Sequence, residues 1–198
     1  METLRWLLNE AELFELTPAS LTTKVCEIAR KITGNPDPFA SVKRLSNRVA
    51  LRIIPLLMRN IEEAGSLREA LKLAIIGAIC GNTIDFEVEG YTPSMERLDH
   101  FLTDCLREDL AVDDVDSLMN LLSRSRRVLY LLDNAGEIAF DKVLIKVITS
   151  NYKVRLWAAV KSGPVLNDVT MEDAYQVGLD EVCSVVAIGN DSVGLRLE

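Results

Sequence analysis

The strongest constraint on the fold is the alternation of short apolar runs with helical stretches after Arg126. Residues 128–132, 154–160 and 182–188 are each short and largely apolar, and helical sequence follows the first two. Strands that are apolar throughout are typical of a parallel sheet that is covered on both faces. Right-handed crossovers would place these strands side by side, with their C-terminal ends at one edge of the sheet. Open α/β sheets bind their ligands at that edge.

The first 125 residues predict a succession of helices. Thr17 and Pro18 supply an N-cap and a first-turn proline, and Gly34 occupies the position of a C-terminal cap. Further helices are predicted near residues 42–63, 66–81, 94–107 and 114–123, with Gly81 ending the second of these. We therefore expect an α/β protein. A helical domain at residues 1–125 would pack on a Rossmann-like α/β/α sandwich with a mainly parallel sheet at residues 126–198.

Composition and charge restrict the classes of partner. The chain has 30 acidic against 22 basic residues, a formal charge of −8, and no basic run. It therefore lacks the electrostatic footprint of a nucleic-acid-binding protein. The longest apolar run, residues 73–80, is far shorter than the roughly 20 residues that cross a bilayer. The charged N-terminus does not resemble a signal peptide. We expect a cytoplasmic protein that binds neither nucleic acid nor membranes, and we leave its oligomeric state open.

Polar side chains gather where the predicted strands end. Asp133 and Asn134 follow the first strand, Asn167 and Asp168 follow the second, and residues 189–191 follow the third. Carboxylate and amide oxygens are ligands that suit Mg²⁺ or Mn²⁺. Zinc is less expected, because the chain has a single histidine and its four cysteines are scattered. The sequence therefore predicts a ligand or metal site at this edge of the sheet.

Several of these polar residues also have a simpler explanation as turn, cap or surface residues. Asp and Asn after a strand commonly form turns or helix caps, and Asp168 could cap the helix that begins near Thr170. Gly136 and Glu137 would open a helix whose first N–H groups can bind a phosphate oxygen. Lys161 could neutralise phosphate or simply face solvent. Convergence from successive strands favours the site.

The segment at residues 132–137, Leu-Asp-Asn-Ala-Gly-Glu, with Phe-Asp-Lys at residues 140–142, resembles the central signature of the metal-dependent damage-control phosphatases. This family is also called domain of unknown function 89. Further blocks of the chain are similar to the same family: residues 34–39 with Lys43, residues 81–86, residues 164–170 with Asp173 and Ala174, and residues 189–191.

The resemblance implies a helical domain on a Rossmann-like domain and divalent-metal-dependent hydrolysis of phosphomonoesters. It implies Asp133, Asn134 and Asp168 as the metal ligands and Mn²⁺, Mg²⁺, Co²⁺ or Ni²⁺ as the ion. Sugar phosphates or damaged phosphometabolites would be the substrates. Because the family continues beyond the point where this chain ends, we expect the second domain to be incomplete.

The resulting hypothesis assigns a role to each candidate residue. Asp133 and Glu137 are predicted to be catalytic, and the predicted substrate-binding residues are Asn82, Asp85, Gly136 and Lys161. Attack by water is expected, and direct attack by Asp133 stays open. The alternative is a non-catalytic nucleotide- or cofactor-binding module of the S-adenosylmethionine type. The absence of a glycine-rich turn after the first strand weighs against this alternative.

Overall fold

The computed structural model describes residues 17–83, 94–189, and 192 and 193. These residues form seven α-helices, one 3₁₀ helix and three strands. In chain order they are α1 (Pro18–Thr33), α2 (Ala40–Glu62), α3 (Leu67–Thr83), α4 (Met95–Arg107), α5 (Val115–Arg124), β1 (Arg127–Leu131), α6 (Glu137–Asn151), β2 (Arg155–Lys161), α7 (Met171–Gln176), the 3₁₀ helix (Leu179–Glu181) and β3 (Ser184–Ile188).

Capping side chains define several of the helix ends. The Thr17 side chain accepts a hydrogen bond from the Ser20 N–H, and Gly34 closes α1 with a φ of 66°. The expectation that Gly81 ends its helix is wrong, because α3 continues to Thr83. Gly81 instead allows a close approach: a Cβ atom there would lie 2.7 Å from a ring carbon of Phe140 on α6.

The three strands form a parallel sheet in the order β1-β2-β3. Consecutive right-handed crossovers place α6 and α7 on the same face of the sheet. On the opposite face Leu129 and Leu131 are 62% and 60% exposed. The mixed α/β class with a parallel sheet is confirmed. Helices on the second face, which a sandwich also requires, are not among the elements of residues 17–83 and 94–189.

Among the described residues, one cluster of buried apolar side chains joins the helical region to the sheet. Helix α6 lies between them, and its residues Ile138, Phe140 and Ile145 are completely buried. The same cluster of contacts includes Ile53 and Leu71 from the preceding helices. The division at residue 125 stays a prediction. None of the helices in the described part of the chain is long and apolar enough to span a membrane.

Candidate metal and phosphate site

The loops that follow β1 and β2 are joined to each other at the C-terminal edge of the sheet. The Val169 N–H donates to the carbonyl oxygen of Asp133 at 2.9 Å, and the Ala135 N–H donates to the carbonyl oxygen of Asn167 at 2.9 Å. An isolated antiparallel bridge pairs Asn134 with Asp168. The structure therefore brings together the three residues that were predicted to hold a metal.

Glu137 and Asn82 lie against the first of these loops. The Asn134 side-chain nitrogen donates to Asp133 Oδ2 at 2.9 Å and to Glu137 Oε2 at 3.3 Å. Asn82, at the end of α3, donates to the same Glu137 oxygen at 2.7 Å. Because α3 and α6 approach closely at Gly81, the side chain of Asn82 can reach Glu137.

The simpler explanation of these residues as helix caps does not describe the structure. Helix α6 begins after Gly136 without a side-chain cap hydrogen bond, so neither Asp133 nor Asn134 caps it. Helix α7 is capped by Thr170 together with Asp173. The predicted ligands are thus left for another role.

Lys161 provides positive charge beside the second loop. Its Nζ lies 3.6 Å from Asp168 Oδ2 and donates to the carbonyl oxygen of Ser192 at 2.9 Å. Burial raises the pKa of Asp168, the charge of Lys161 opposes this shift, and the charge of Asp133 adds to it. The lysine neutralises only part of the negative charge at this edge.

Glu137 has the same kind of electrostatic environment. Burial raises the pKa of Glu137, hydrogen bonds from Asn82 and Asn134 oppose the shift, and the charge of Asp133 adds to it. Burial and a neighbouring negative charge disfavour the ionised form of these carboxyl groups, and a nearby cation would stabilise that ionised form. The local charge therefore favours a bound cation.

The available ligand atoms fit a hard divalent cation. Asp133 and Asp168 provide carboxylate oxygens, and Asn134 provides an amide oxygen; such a set suits Mg²⁺ or Mn²⁺. Residues 17–83 and 94–189 contain no group of three or more His, Cys, Asp or Glu side chains placed to hold a metal. The candidate set accordingly combines two carboxylates, from Asp133 and Asp168, with the amide oxygen of Asn134.

Gly136 does not present its own N–H to this site. That N–H donates to Oδ1 of Asn47, at 2.8 Å. The glycine has a φ of 88°, a backbone conformation that side chains disfavour. A phosphate oxygen would have to use other groups of the loop.

The predicted residues Asp85, Asn190 and Asp191 lie outside the described residues.

A buried polar cluster lies behind the two loops, and it was assigned no role from the sequence although Asp37, Lys43 and Asp173 lie in the family-like blocks. Lys43 is 3% exposed, and its Nζ lies 2.9 Å from Asp37 Oδ2 and 3.3 Å from Asp173 Oδ2. Asn47, one turn further along α2, is completely buried. One sequence signal was available. Lys43 and Asn47 lie at helical spacing with Ala50 and Ile53, so the four residues share the buried face of α2, and polar residues on a buried face need polar partners.

A family model, curated relatives and a solved structure all point to the same family. The family model of the damage-control phosphatase ARMT1-like domain matches residues 2–198. The uncharacterized protein MJ0202 of Methanocaldococcus jannaschii is 35% identical over 91% of this chain and 59% of its own length. Damage-control phosphatase PH1575 of Pyrococcus horikoshii is 36% identical over 85% of this chain and 55% of its own length. A damage-control phosphatase of Archaeoglobus fulgidus is 33% identical over 91% of this chain and 61% of its own length.

A solved structure has the same fold. The crystal structure of PH1575, described as a DUF89 family protein of Pyrococcus horikoshii, superimposes with a TM-score of 0.80 and 30% sequence identity. The match covers 98% of this chain and 64% of that protein. The chain thus spans a little over half the length of the curated relatives it matches. It belongs to the family of damage-control phosphatases with an ARMT1-like domain, also called DUF89.

Proposed function

We propose that this chain carries the metal-binding part of a divalent-metal-dependent phosphatase that hydrolyses small phosphorylated metabolites, such as sugar phosphates or damaged phosphometabolites. One observation carries the proposal. The hydrogen bond from the Val169 N–H to the Asp133 carbonyl oxygen joins the two strand-end loops. It thereby holds Asp133, Asn134 and Asp168 at one edge of the sheet. The relatives named as damage-control phosphatases support the same reaction class.

Asp133, Asn134 and Asp168 would hold the ion, for which Mn²⁺, Mg²⁺, Co²⁺ and Ni²⁺ are the candidates. A divalent ion held by these residues would supply positive charge that stabilises the negative charge developing on the phosphoryl oxygens. All three ligand atoms are oxygens, which favours Mg²⁺ and Mn²⁺ in this group.

Glu137 is suited to hold a proton near the reacting phosphate. Its carboxylate is oriented by Asn82 and Asn134. Its raised pKa brings its titration closer to neutral pH, where a general acid or base works best. We assign the activation of the attacking water to Glu137. Attack by Asp133 itself is the competing route, and a phosphorylated Asp133 would reveal it.

Lys161 and the net negative charge of the protein favour a small phosphorylated ligand over a nucleic acid. Lys161 supplies a cation 3.6 Å from Asp168 and can balance charge on a phosphate group. The acidic chain offers no basic surface for a nucleic-acid backbone. We propose a small cytoplasmic metabolite as the partner, without a nucleic-acid or membrane ligand.

The test is a screen of a phosphometabolite panel against Mn²⁺, Mg²⁺, Co²⁺ and Ni²⁺. Asp168→Ala should lower metal-stimulated hydrolysis by about 100-fold or more, the scale of a single lost electrostatic contribution. Asp180→Ala, at an acidic residue of the 3₁₀ helix, is the matched control and should leave the rate unchanged. Near-normal turnover by Asp168→Ala would refute the assignment. Thermal stabilisation by adenosyl ligands instead of Mn²⁺ would favour the binding-module alternative.

A further inference from the structure

One side chain from the helical region contacts the elements behind both loops of the candidate site. Asn47 lies on α2 and is completely buried. Its Oδ1 accepts the hydrogen bond from the Gly136 N–H at 2.8 Å. Its Nδ2 donates to Asp173 Oδ1 at 3.0 Å and to Gln176 Oε1 at 2.9 Å. Because both ends of the amide group are engaged, its orientation is fixed.

The contact with Gly136 determines the shape of the first loop. Gly136 lies between Asn134 and Glu137 along the chain and has φ 88° and ψ −57°. A glycine can adopt many backbone conformations, so a buried hydrogen bond to its N–H selects this one. Without that acceptor, the buried N–H would gain stability by rotating toward another partner or water. The side chains of Asn134 and Glu137 would then move with it.

The contact with Asp173 determines the place of the second loop. Asp173 Oδ2 accepts hydrogen bonds from both the N–H and the hydroxyl of Thr170, each at 2.9 Å. Thr170 follows Asp168 by two residues. Lys43 Nζ lies 3.3 Å from Asp173 Oδ2, and its charge offsets the burial of that carboxylate. A continuous set of hydrogen bonds therefore runs from Gly136 through Asn47 and Asp173 to Thr170.

We propose that Asn47 is a positioning residue for the divalent-metal site. By holding Gly136 and Asp173 at once, it fixes the backbone conformation of the loop that carries Asp133 and Asn134 relative to the helix that follows the loop carrying Asp168. This inference rests on the proposed function, because it requires that those loops share a metal ion. The main-chain hydrogen bonds between the loops do not involve Asn47. Loss of Asn47 therefore loosens the site and weakens metal binding, whereas the fold is kept.

Two measurements on the 198-residue chain test the inference. The first is hydrogen exchange of the Gly136 N–H by NMR, which reports the hydrogen bond to Asn47 directly. The second is the dissociation constant for Mn²⁺, obtained from the electron paramagnetic resonance signal of the free ion. Asn60→Ala is the matched control, because Asn60 lies on the same helix and, among the described residues, its Nδ2 donates only to the carbonyl oxygen of Leu56 within that helix.

In Asn47→Ala we expect Gly136 exchange to accelerate at least about tenfold and the Mn²⁺ dissociation constant to rise by a similar factor. Asn60→Ala should stay within about twofold of the wild type. If Asn47→Ala does not fold, Asn47→Thr, which has a similar volume, should show the same pair of changes.

The outcomes separate this inference from the proposed function. An unchanged Mn²⁺ dissociation constant in the Asn47 variants, together with lost Mn²⁺ binding in Asp133→Ala, overturns the role of Asn47 and leaves the metal site standing. A lowered melting temperature without a change in Mn²⁺ affinity shows a purely structural role and also overturns it. Absence of Mn²⁺ binding in the wild type overturns both.

Discussion

Asp141 is a buried carboxylate that lies one helical turn beyond Glu137 and takes no part in the proposed chemistry. It is 2% exposed and accepts a hydrogen bond from the Tyr130 hydroxyl at 2.6 Å. Burial raises the pKa of Asp141 to about 7; the hydrogen bond opposes this shift, and the charges of Glu137 and Asp133 add to it. Burial raises the pKa of Tyr130 as well, so its hydroxyl stays protonated as a donor.

The raised pKa of Asp141 predicts a stability that depends on pH. Between its ordinary value of 3.8 and about 7, the folded protein keeps a proton that the unfolded chain releases. The free energy of unfolding therefore falls as pH rises through this window, by at most about 4 kcal/mol from this group. In Asp141→Asn the fall should be reduced, because an amide does not titrate and its oxygen can still accept from Tyr130.

Urea unfolding of both proteins at pH 5 and pH 8, with EDTA present, measures the difference. Glu137 and Asp168 also have raised pKa values, so a smaller fall remains in the variant. A wild type and a variant with the same pH dependence would contradict this account of Asp141.

At the residue level, the position of a side chain at a strand end was the predictive signal. It predicted a ligand or metal site at this edge of the sheet, and the family resemblance then selected Asp133, Asn134 and Asp168 as the ligands. The structure joins the two loops that carry these three residues. The strand-end signal could not identify Asn47, because Asn47 is 89 residues from the Gly136 that it contacts. A single asparagine within a helix has no local pattern that reveals a distant partner.

The contact between α3 and α6 depends on a residue without a side chain. Gly81 brings α3 against the first turn of α6, where an added Cβ would lie 2.7 Å from a Phe140 ring carbon and 3.2 Å from Glu137 Cα. The sequence placed this glycine at the end of a helix, which is its commonest position. Whether a glycine ends a helix or permits a close contact depends on the neighbouring helix, which the local sequence does not reveal.

Gly81→Ala should separate α3 from α6 and weaken both the fold and the site. We expect a loss of about 1–3 kcal/mol in the free energy of unfolding, the usual cost of overpacking a core. Activity should fall as well, because Asn82 moves away from Glu137. Gly65→Ala is the control: its Cβ would have an ordinary 3.5 Å contact with Glu69. Urea unfolding at fixed pH measures both variants, and equal stability of Gly81→Ala and wild type would argue against the close approach.

The first residues of α1 and α4 were predicted well because N-capping residues mark them, whereas the start of β3 was predicted less well. The apolar run from Val182 predicted a strand, but β3 begins at Ser184. The Val182 and Cys183 N–H groups both donate to the Leu179 carbonyl oxygen, at 3.1 and 3.3 Å, and close the 3₁₀ helix. Hydrophobic periodicity does not separate a short apolar turn from a strand of similar composition.

The whole molecule has a core that is continuous between its helical region and its sheet. Phe140 and Ile145 of α6 are buried in the same cluster as Leu71 of α3 and Ala158 of β2. Apolar strand composition predicted burial on both faces of the sheet. The described helices cover one face and leave Leu129 exposed on the other. Composition shows that a strand is apolar, but not which element packs on it.

A continuous core predicts that the helical region and the sheet unfold together. The chain contains two tryptophans, and in a Trp6→Phe background Trp157 on β2 reports on the sheet alone. Fluorescence of Trp157 and far-ultraviolet circular dichroism, which follows the helices, should give the same urea midpoint. Phe140→Ala should lower both midpoints together, at a cost of about 3–5 kcal/mol. Separate midpoints would show two independently folding units and contradict this account.

The most direct test of the metal site is anomalous diffraction from crystals soaked in Mn²⁺. We expect one strong anomalous peak about 2.1 Å from oxygen atoms of Asp133, Asn134 and Asp168, a typical distance for a hard divalent ion. The peak should disappear in crystals of Asp168→Ala. If well-ordered wild-type crystals at saturating Mn²⁺ showed no peak between these three side chains, or a peak only elsewhere, Asp133, Asn134 and Asp168 would not form a metal site.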